Sequence, residues 1–224
     1  GAGAFGASLN MQTKAYQENA FAEISNSVGS FGTRKHTLSF GTGLHNNFEL
    51  NGRLSNIASD GFIDRASSSM FGYFFNGNYV TETTLIKALA FGGKEKTYQS
   101  WNGLEDPEKL KNDRTFNSAG MYFDQNGNIK FYDDETDNYW QNHFQLHWSE
   151  KWSEKWISNA ALHYTIGKGY FEQYREDESL VDYFLPNFEG NTESDLVRKR
   201  WLDSDFFGTT FSLNYKTTKT DILL

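Results

Sequence analysis

The tightest constraint on this chain is an alternation of period two that returns again and again along it, one set of residues apolar or aromatic and the other polar or charged. Lys35 to Leu44 sets His36, Leu38, Phe40 and Leu44 against Thr37, Ser39 and Gly41; Asn47 to Ile57 sets Phe48, Leu50 and Leu54 against Glu49, Asn51, Arg53 and Ser55. Side chains two apart on a strand share a face, so the pattern predicts a sheet with one oily and one wet side. Glu49 and Arg53 on the second side could not enter the dry core of a sandwich, whereas a water-filled lumen accepts them. The same reading gives strands at Ala20 to Gly29, Ser69 to Tyr79 (Phe71, Tyr73, Phe75 and Tyr79 in register), Thr83 to Ser100, Asn138 to Glu150, Lys155 to Tyr174 and Phe206 to Lys216, with another beginning at Asp221. In Thr83 to Ser100 both Ile86/Ala88/Ala90 and Leu85/Leu89/Phe91 qualify as the oily set.

Composition agrees with strands that spend apolar residues on one side only: 17% aromatic residues accompany a mean hydropathy of -0.67. No run of about 18 apolar residues is present, which excludes a helical span but not a barrel, whose strands need only about 9 to 11 residues. The absence of cysteine rules out disulfides and thiolate chemistry, and a net charge of -8 argues against nucleic acid as a partner. The links alternate in length. His45 to Asn47, Val80 to Glu82, Ser149 to Lys155 and Thr217 to Thr220 are short; Asp60 to Ser67, Asn102 to Asp137 and Arg175 to Asp205 are long and charged, as expected of a barrel with a periplasmic and an outer end.

Candidate chemistry is sparse. His143 and His147 share the wet face of one strand but lie roughly 13 Å apart, too far to hold one ion, and with His163 read as lumen-lining residues. The acidic runs Asp133, Asp134, Glu135, Asp137 and Glu172, Glu176, Asp177, Glu178 read as solvated loop residues, as does Asp124 to Asn128, which has a calcium-loop flavour without the acidic twelfth position. No metal, cofactor or catalytic constellation is expected. The better candidate is a ligand site of aromatic and basic residues where strands run into the two longest loops: Tyr98, Trp101, Tyr170, Phe171, Tyr174 and Arg175. The alternative role for each is the aromatic girdle of a barrel.

GAGAFGASLNMQTK, Gly1 to Lys14, resembles the last plug strand of TonB-dependent outer-membrane receptors, especially the siderophore branch in Bacteroidetes-like sequences, whose pattern is G-x-G-A-x-G-G-x-I-N-I-x-T. It departs from that pattern at Ala7, Leu9 and Met11. Phe21 to Gly43 resembles the first two barrel strands, and GKEKTYQSWNG (Gly93 to Gly103) and HYTIGKGYFEQYR (His163 to Arg175) resemble barrel segments. The resemblance implies an all-β, antiparallel transmembrane barrel of about 22 strands closed by a plug. Residues 1–14 would be the end of the plug and 15–224 about eight strands from the N-terminal part of the barrel, an internal fragment. Implied partners are a ferric siderophore or similar bulky ligand, outer-membrane lipid, and TonB through a region outside this chain. Cobalamin, haem or a glycan are alternative cargoes, and a soluble carbohydrate-binding β-sandwich is the alternative from another class.

Overall fold

A computed structural model describes residues 16–187 and 189–223; the expected plug strand, 1–14, lies outside the described residues. The strands are β1 (Phe21–Val28), β2 (Arg34–Gly41), β3 (Phe48–Ser59), β4 (Ser68–Val80) and β5 (Thr84–Tyr98). The long link that follows holds a helical turn α1 (Pro107–Asn112) and the small hairpin β6 (Met121–Phe123) and β7 (Ile129–Phe131). Then come β8 (Thr136–Lys151), β9 (Trp156–Ser179), β10 (Glu193–Lys216) and β11 (Asp221–Leu223). Nine of these form one open antiparallel sheet in the order β1-β2-β3-β4-β5-β8-β9-β10-β11.

Register decides the faces. Phe40 pairs across Gly52 to Phe75, and then through Ala90, Phe144 and Tyr164 to Phe207, so a single row carries the apolar set across seven strands. The same rows settle β5: Ile86, Ala88 and Ala90 lie on the apolar face, while Leu89 and Phe91 join Asn76, His143 and Gln145 on the polar one. On the apolar face Leu162 is 55% exposed, Phe211 66% and Phe207 79%. No second sheet covers these side chains among the described residues, the only other sheet being the β6–β7 pair, so a sandwich core does not form. The apolar stretch is Phe71 to Tyr79 in β4, Trp140 to Trp148 in β8, Trp156 to Ile166 in β9 and Phe207 to Tyr215 in β10. Each stretch matches the roughly 9 to 11 residues a tilted strand needs to cross a bilayer. Aromatic pairs close the band at the short-turn end: Phe48 with Tyr79 at 4.9 Å and Trp156 with Tyr215 at 4.6 Å.

At that end the chain enters over the polar face. Glu49, 3% exposed, accepts the Gln17 amide at 2.7 Å together with Asn51 Nδ2 at 2.7 Å and Asn78 Nδ2 at 2.5 Å. Leu44 N donates to Glu18 O at 3.2 Å. Gly43, at φ +69°, lies so near the backbone of Glu18 to Ala20 that a side chain there would collide with it. The incoming segment is thereby held against the β2–β3 turn.

Two expectations about the loops change. The stretch 175–205 is mostly strand: β9 continues to Ser179 and β10 begins at Glu193, leaving a short link with a 3-10 turn at Leu180–Tyr183. Above the apolar band both faces of this hairpin mix charged and apolar residues, so hydrophobic alternation vanishes while the backbone ladder continues. The link expected from Asn102 to Asp137 as a long charged loop is instead, over 99–135, a small folded crown. Asn117, 3% exposed, donates to Asp64 O at 3.0 Å and Gln99 O at 2.7 Å, and its Oδ1 accepts from Ala119 N at 3.0 Å. Arg65 donates to Asn117 O and stacks 3.5 Å over Phe131, tying the link 60–67 to the crown. Tyr98 donates to Tyr132 O at 2.8 Å and Tyr132 to Glu172 Oε1 at 2.6 Å, so the crown leans on the apolar-side face of β5 and β9, above the band.

Candidate functional site

The six residues expected to form a ligand site divide between the two faces. Tyr98, 7% exposed, is the crown's anchor. Tyr170, on the apolar-side face, packs against Trp201 at 4.7 Å with Lys199 Nζ 4.8 Å above its ring. Tyr174, on that same face, lies 4.5 Å from Tyr122 and 5.8 Å from Tyr132, and donates to Asp195 at 2.7 Å. That hydrogen bond to a carboxylate, with burial second, pushes the Tyr174 phenol up to about 12. Tyr98 and Tyr174 are supports of the β9–crown junction, and Tyr170 braces β9 against β10. Phe171 and Arg175 lie on the polar face, and Trp101, 66% exposed, reaches from the crown to meet Phe171 edge-on at 5.1 Å.

Around these last three the ladder gathers residues that sequence reasoning left in a loop. Arg200 pairs with Phe171, Arg198 with Gln173 and Leu196 with Arg175, all on the polar face. Arg198 Nη2 donates to Gln173 Oε1 at 2.6 Å and Arg175 Nε to Glu178 Oε1 at 2.6 Å. Tyr183, from the 3-10 turn, donates to Glu178 Oε2 at 2.8 Å and accepts from Arg198 Nη1 at 3.4 Å. Arg200 is exposed, and its side chain is unpaired among the described residues. One extra residue in β9 makes this cluster. Between the pairs Leu196–Arg175 and Ser194–Glu178 the register slips, with Asp177 at φ +50°, so Glu178 falls on the side of Arg175 instead of the opposite one. Two hydrogen bonds, from Tyr183 and Arg175, hold its carboxyl below the ordinary range.

The arrangement is three guanidinium groups beside an edge-to-face aromatic pair at the loop end of the polar face. It can grip an anion through charge-assisted bonds and a flat ring by stacking. The signal available in the sequence was Arg198 and Arg200, two apart, on a stretch that reads as strand only if alternation is followed past the point where both sides turn mixed.

The other candidates hold no such constellation. His143 bonds Thr165 Oγ1 at 2.8 Å and Gln141 Oε1 at 3.1 Å and stacks on Phe91 at 4.6 Å; His147 bonds Gln145 Oε1 at 3.0 Å; His163 stacks on Phe206 at 5.1 Å. The Asp124 carboxylate is consumed by its own hairpin, accepting from Asn126 N and Asn128 N at 2.9 Å each. Among the described residues no group of histidines and carboxylates is placed to hold a metal ion. Two acids expected in solvent are buried: Glu135, 5% exposed, accepts Tyr174 N at 2.9 Å, and Glu172 is 7% exposed. Burial raises the Glu135 carboxyl above its ordinary 4.5, the Tyr174 amide opposing the shift.

No protein family and no curated protein matches this sequence. Solved structures do match its fold. The ferric-catecholate import receptor Fiu of E. coli K12 superposes in a closed form with TM-score 0.60 at 8% identity, over 89% of this chain and 29% of the receptor. Its open form gives TM-score 0.60 at 9% identity, over 92% of this chain and 34% of the receptor. The chain spans about a third of that receptor's length. At this identity the likeness is one of architecture: the nine-stranded sheet has the fold of a segment of that receptor's β-barrel wall.

Proposed function

We propose that this chain forms part of the wall and outer loops of a TonB-dependent outer-membrane importer, and that its cargo is a ferric siderophore of anionic, ring-bearing type. The observation that carries this reading is the polar-face cluster of Arg175, Arg198 and Arg200 beside Trp101 and Phe171, at the end of the wall where the long links lie. An anionic chelate with aromatic donors matches both halves of that cluster. A neutral glycan would use the rings and leave Arg198 and Arg200 without a counter-charge, Arg175 being paired with Glu178. The likeness to a ferric-catecholate import receptor supports the same direction. TonB would be engaged through a region outside this chain, and the function is transport, not catalysis.

The test is ligand affinity of the full-length protein, measured with ferric catecholate, ferric hydroxamate, haem and cobalamin. Arg200→Ala and Trp101→Ala are each expected to weaken binding of the anionic chelate by about tenfold, the equivalent of roughly 1.4 kcal/mol. Unchanged affinity for every ligand in both variants would remove the site. Tight binding of a neutral ligand, weakened only by Trp101→Ala, would reassign the cargo.

A further inference from the structure

Guanidinium groups gathered on one face repel one another, and here the fold brings an acid to them by breaking its own alternation. Along β9 the residues Glu172, Tyr174 and Glu176 point to the apolar-side face, and in an unbroken ladder Glu178 would follow them. The slip at Asp177 turns it to the polar face instead. Asp195 holds that slip from the facing strand, its Oδ1 accepting the Asp177 amide at 3.1 Å and its Oδ2 the Tyr174 hydroxyl at 2.7 Å. A left-handed aspartate is unfavourable in a strand and persists only where its neighbours fix it. What the slip gains is a carboxylate bonded to the arginines. Glu178 Oε1 accepts from Arg175 Nε at 2.6 Å, and its Oε2 accepts from the Tyr183 hydroxyl at 2.8 Å, which itself accepts from Arg198 Nη1 at 3.4 Å. The acid thus reaches Arg175 directly and Arg198 through a phenol. Two other acids of this region make no ion pair with the cluster among the described residues. Asp137 stands in the row of Phe171 and Arg200 with its carboxylate unpaired, and Glu135 is buried, engaged by the Tyr174 amide and Gln173.

We propose that Glu178 is a built-in stand-in for cargo: it occupies Arg175, and through Tyr183 also Arg198, until the anionic groups of a chelate displace it. Arg200, exposed and unpaired among the described residues, is the point of first capture. The exchange is open to the lumen side, because the Arg175 side chain is 45% exposed and that of Glu178 only 17%, so the cation faces water and the acid backs it. Glu178 then sets specificity by charge. A small anion is satisfied at Arg200 and gains nothing by ejecting Glu178, since one anion would merely replace another. A chelate with several anionic groups holds Arg200 with one of them and brings the rest to bear on Arg175 and Arg198, outcompeting a single carboxylate. The small anions of the medium are thereby kept from filling the cluster. The inference rests on the reading of these arginines as the cargo site and adds which ligands that site turns away.

The experiment measures binding of two probes to the full-length protein: a ferric tris-catecholate, which is a polyanion, and a ferric tris-hydroxamate, which is neutral. Glu178→Gln keeps an oxygen for Arg175 and Tyr183 and removes the charge. It is expected to bind the polyanion about tenfold tighter than the native protein does and the neutral chelate no tighter. Inorganic phosphate is expected to compete with the polyanion several-fold better in this variant than in the native protein. Tyr183→Phe keeps the charge and removes one of its two anchors, so a smaller gain of about threefold is expected there. No gain, or a loss, for the polyanion in Glu178→Gln overturns the proposal and makes the carboxylate a plain support of the arginines. An equal gain for the neutral chelate overturns it too, because that would report a loosened hairpin. A loss in Tyr183→Phe does the same, showing that the phenol serves the guanidinium and not the acid. Arg200→Ala separates this inference from the reading beneath it. If Arg200→Ala weakens the polyanion while Glu178→Gln changes nothing, the cargo site stands and the stand-in falls; if Arg200→Ala also changes nothing, both fall.

Discussion

The wall and the crown hold themselves together by different means. In the wall, neighbouring strands share long unbroken ladders, β9 and β10 pairing from Trp156–Tyr215 up to the slip near Asp177, and the apolar side chains stay exposed, with lipid left to cover them. In the crown there are few ladder bonds. Asn117, Tyr98, Gln99, Glu135 and Ala119 are buried instead, in a miniature interior made mostly of polar groups, where Asn117, Tyr98 and Glu135 find partners and the Gln99 side-chain amide does not. A wall of this kind tolerates almost any wet residue on one side and almost any greasy residue on the other. A polar interior tolerates little, because each unpaired buried group costs the desolvation it no longer recovers.

The contrast is broken most sharply by exchanging the faces. Phe144→Arg, on the apolar face, is expected to destabilise the membrane-inserted protein by about 2–4 kcal/mol. Gln145→Arg, one residue along and on the polar face, should cost about 1 kcal/mol or less. Urea unfolding in vesicles measures both, and equal losses would mean the faces are misassigned. Next in size is Asn117→Ala, which strips three bonds from the crown's interior and should lower the free energy of local opening there by about 1–3 kcal/mol. Hydrogen exchange is expected to quicken across 99–135 and 60–67 with the wall amides unchanged; a change spread evenly over both regions would show that they unfold as one.

The smallest effect concerns acidity. Burial raises the folded-state value of Glu135 above 4.5, so the folded crown holds a proton that the opened crown releases. Crown stability therefore falls as pH rises from about 4.5 through that raised value, and the loss is complete above it. Glu135→Gln keeps an oxygen for the Tyr174 amide and carries no charge. Its crown should show no fall over that window and resist exchange better at neutral pH than the native crown; an unchanged pH slope would mean that another group titrates.

What could be read in advance follows from the same contrast. The wall's faces were legible because lipid on one side and water on the other impose alternation on each strand separately, as at Phe71, Tyr73 and Phe75. β5 resisted that reading because its polar-face residues Leu89 and Phe91 are apolar too, packed beside Asn76 and His143, and only the partner strands reveal which set faces lipid. The upper reach of β10 was hidden for the opposite reason. Beyond the band Lys199 and Asp203 face one way and Arg198 and Arg200 the other, so no hydropathy difference marks the strand. Of the proposed site, Trp101, Phe171 and Arg175 were chosen for their nearness to strand ends, while Tyr98, Tyr170 and Tyr174 share that nearness and face elsewhere. The crown depends on contacts such as Arg65 to Phe131, distant in sequence and without period.

The side on which the crown rests has a consequence of its own. Its hairpin is tied to β9 through Tyr122 on Tyr174 and Phe123 N on Glu176, behind the strand that carries the arginines, with Trp101 alone bent round to the other side. On the proposed function, the bulk that an antibody or a protease arriving from the medium would touch first is therefore separate from the surface proposed to select cargo. Mutational drift in the hairpin would then alter what such an attacker meets while leaving the arginine cluster as it was.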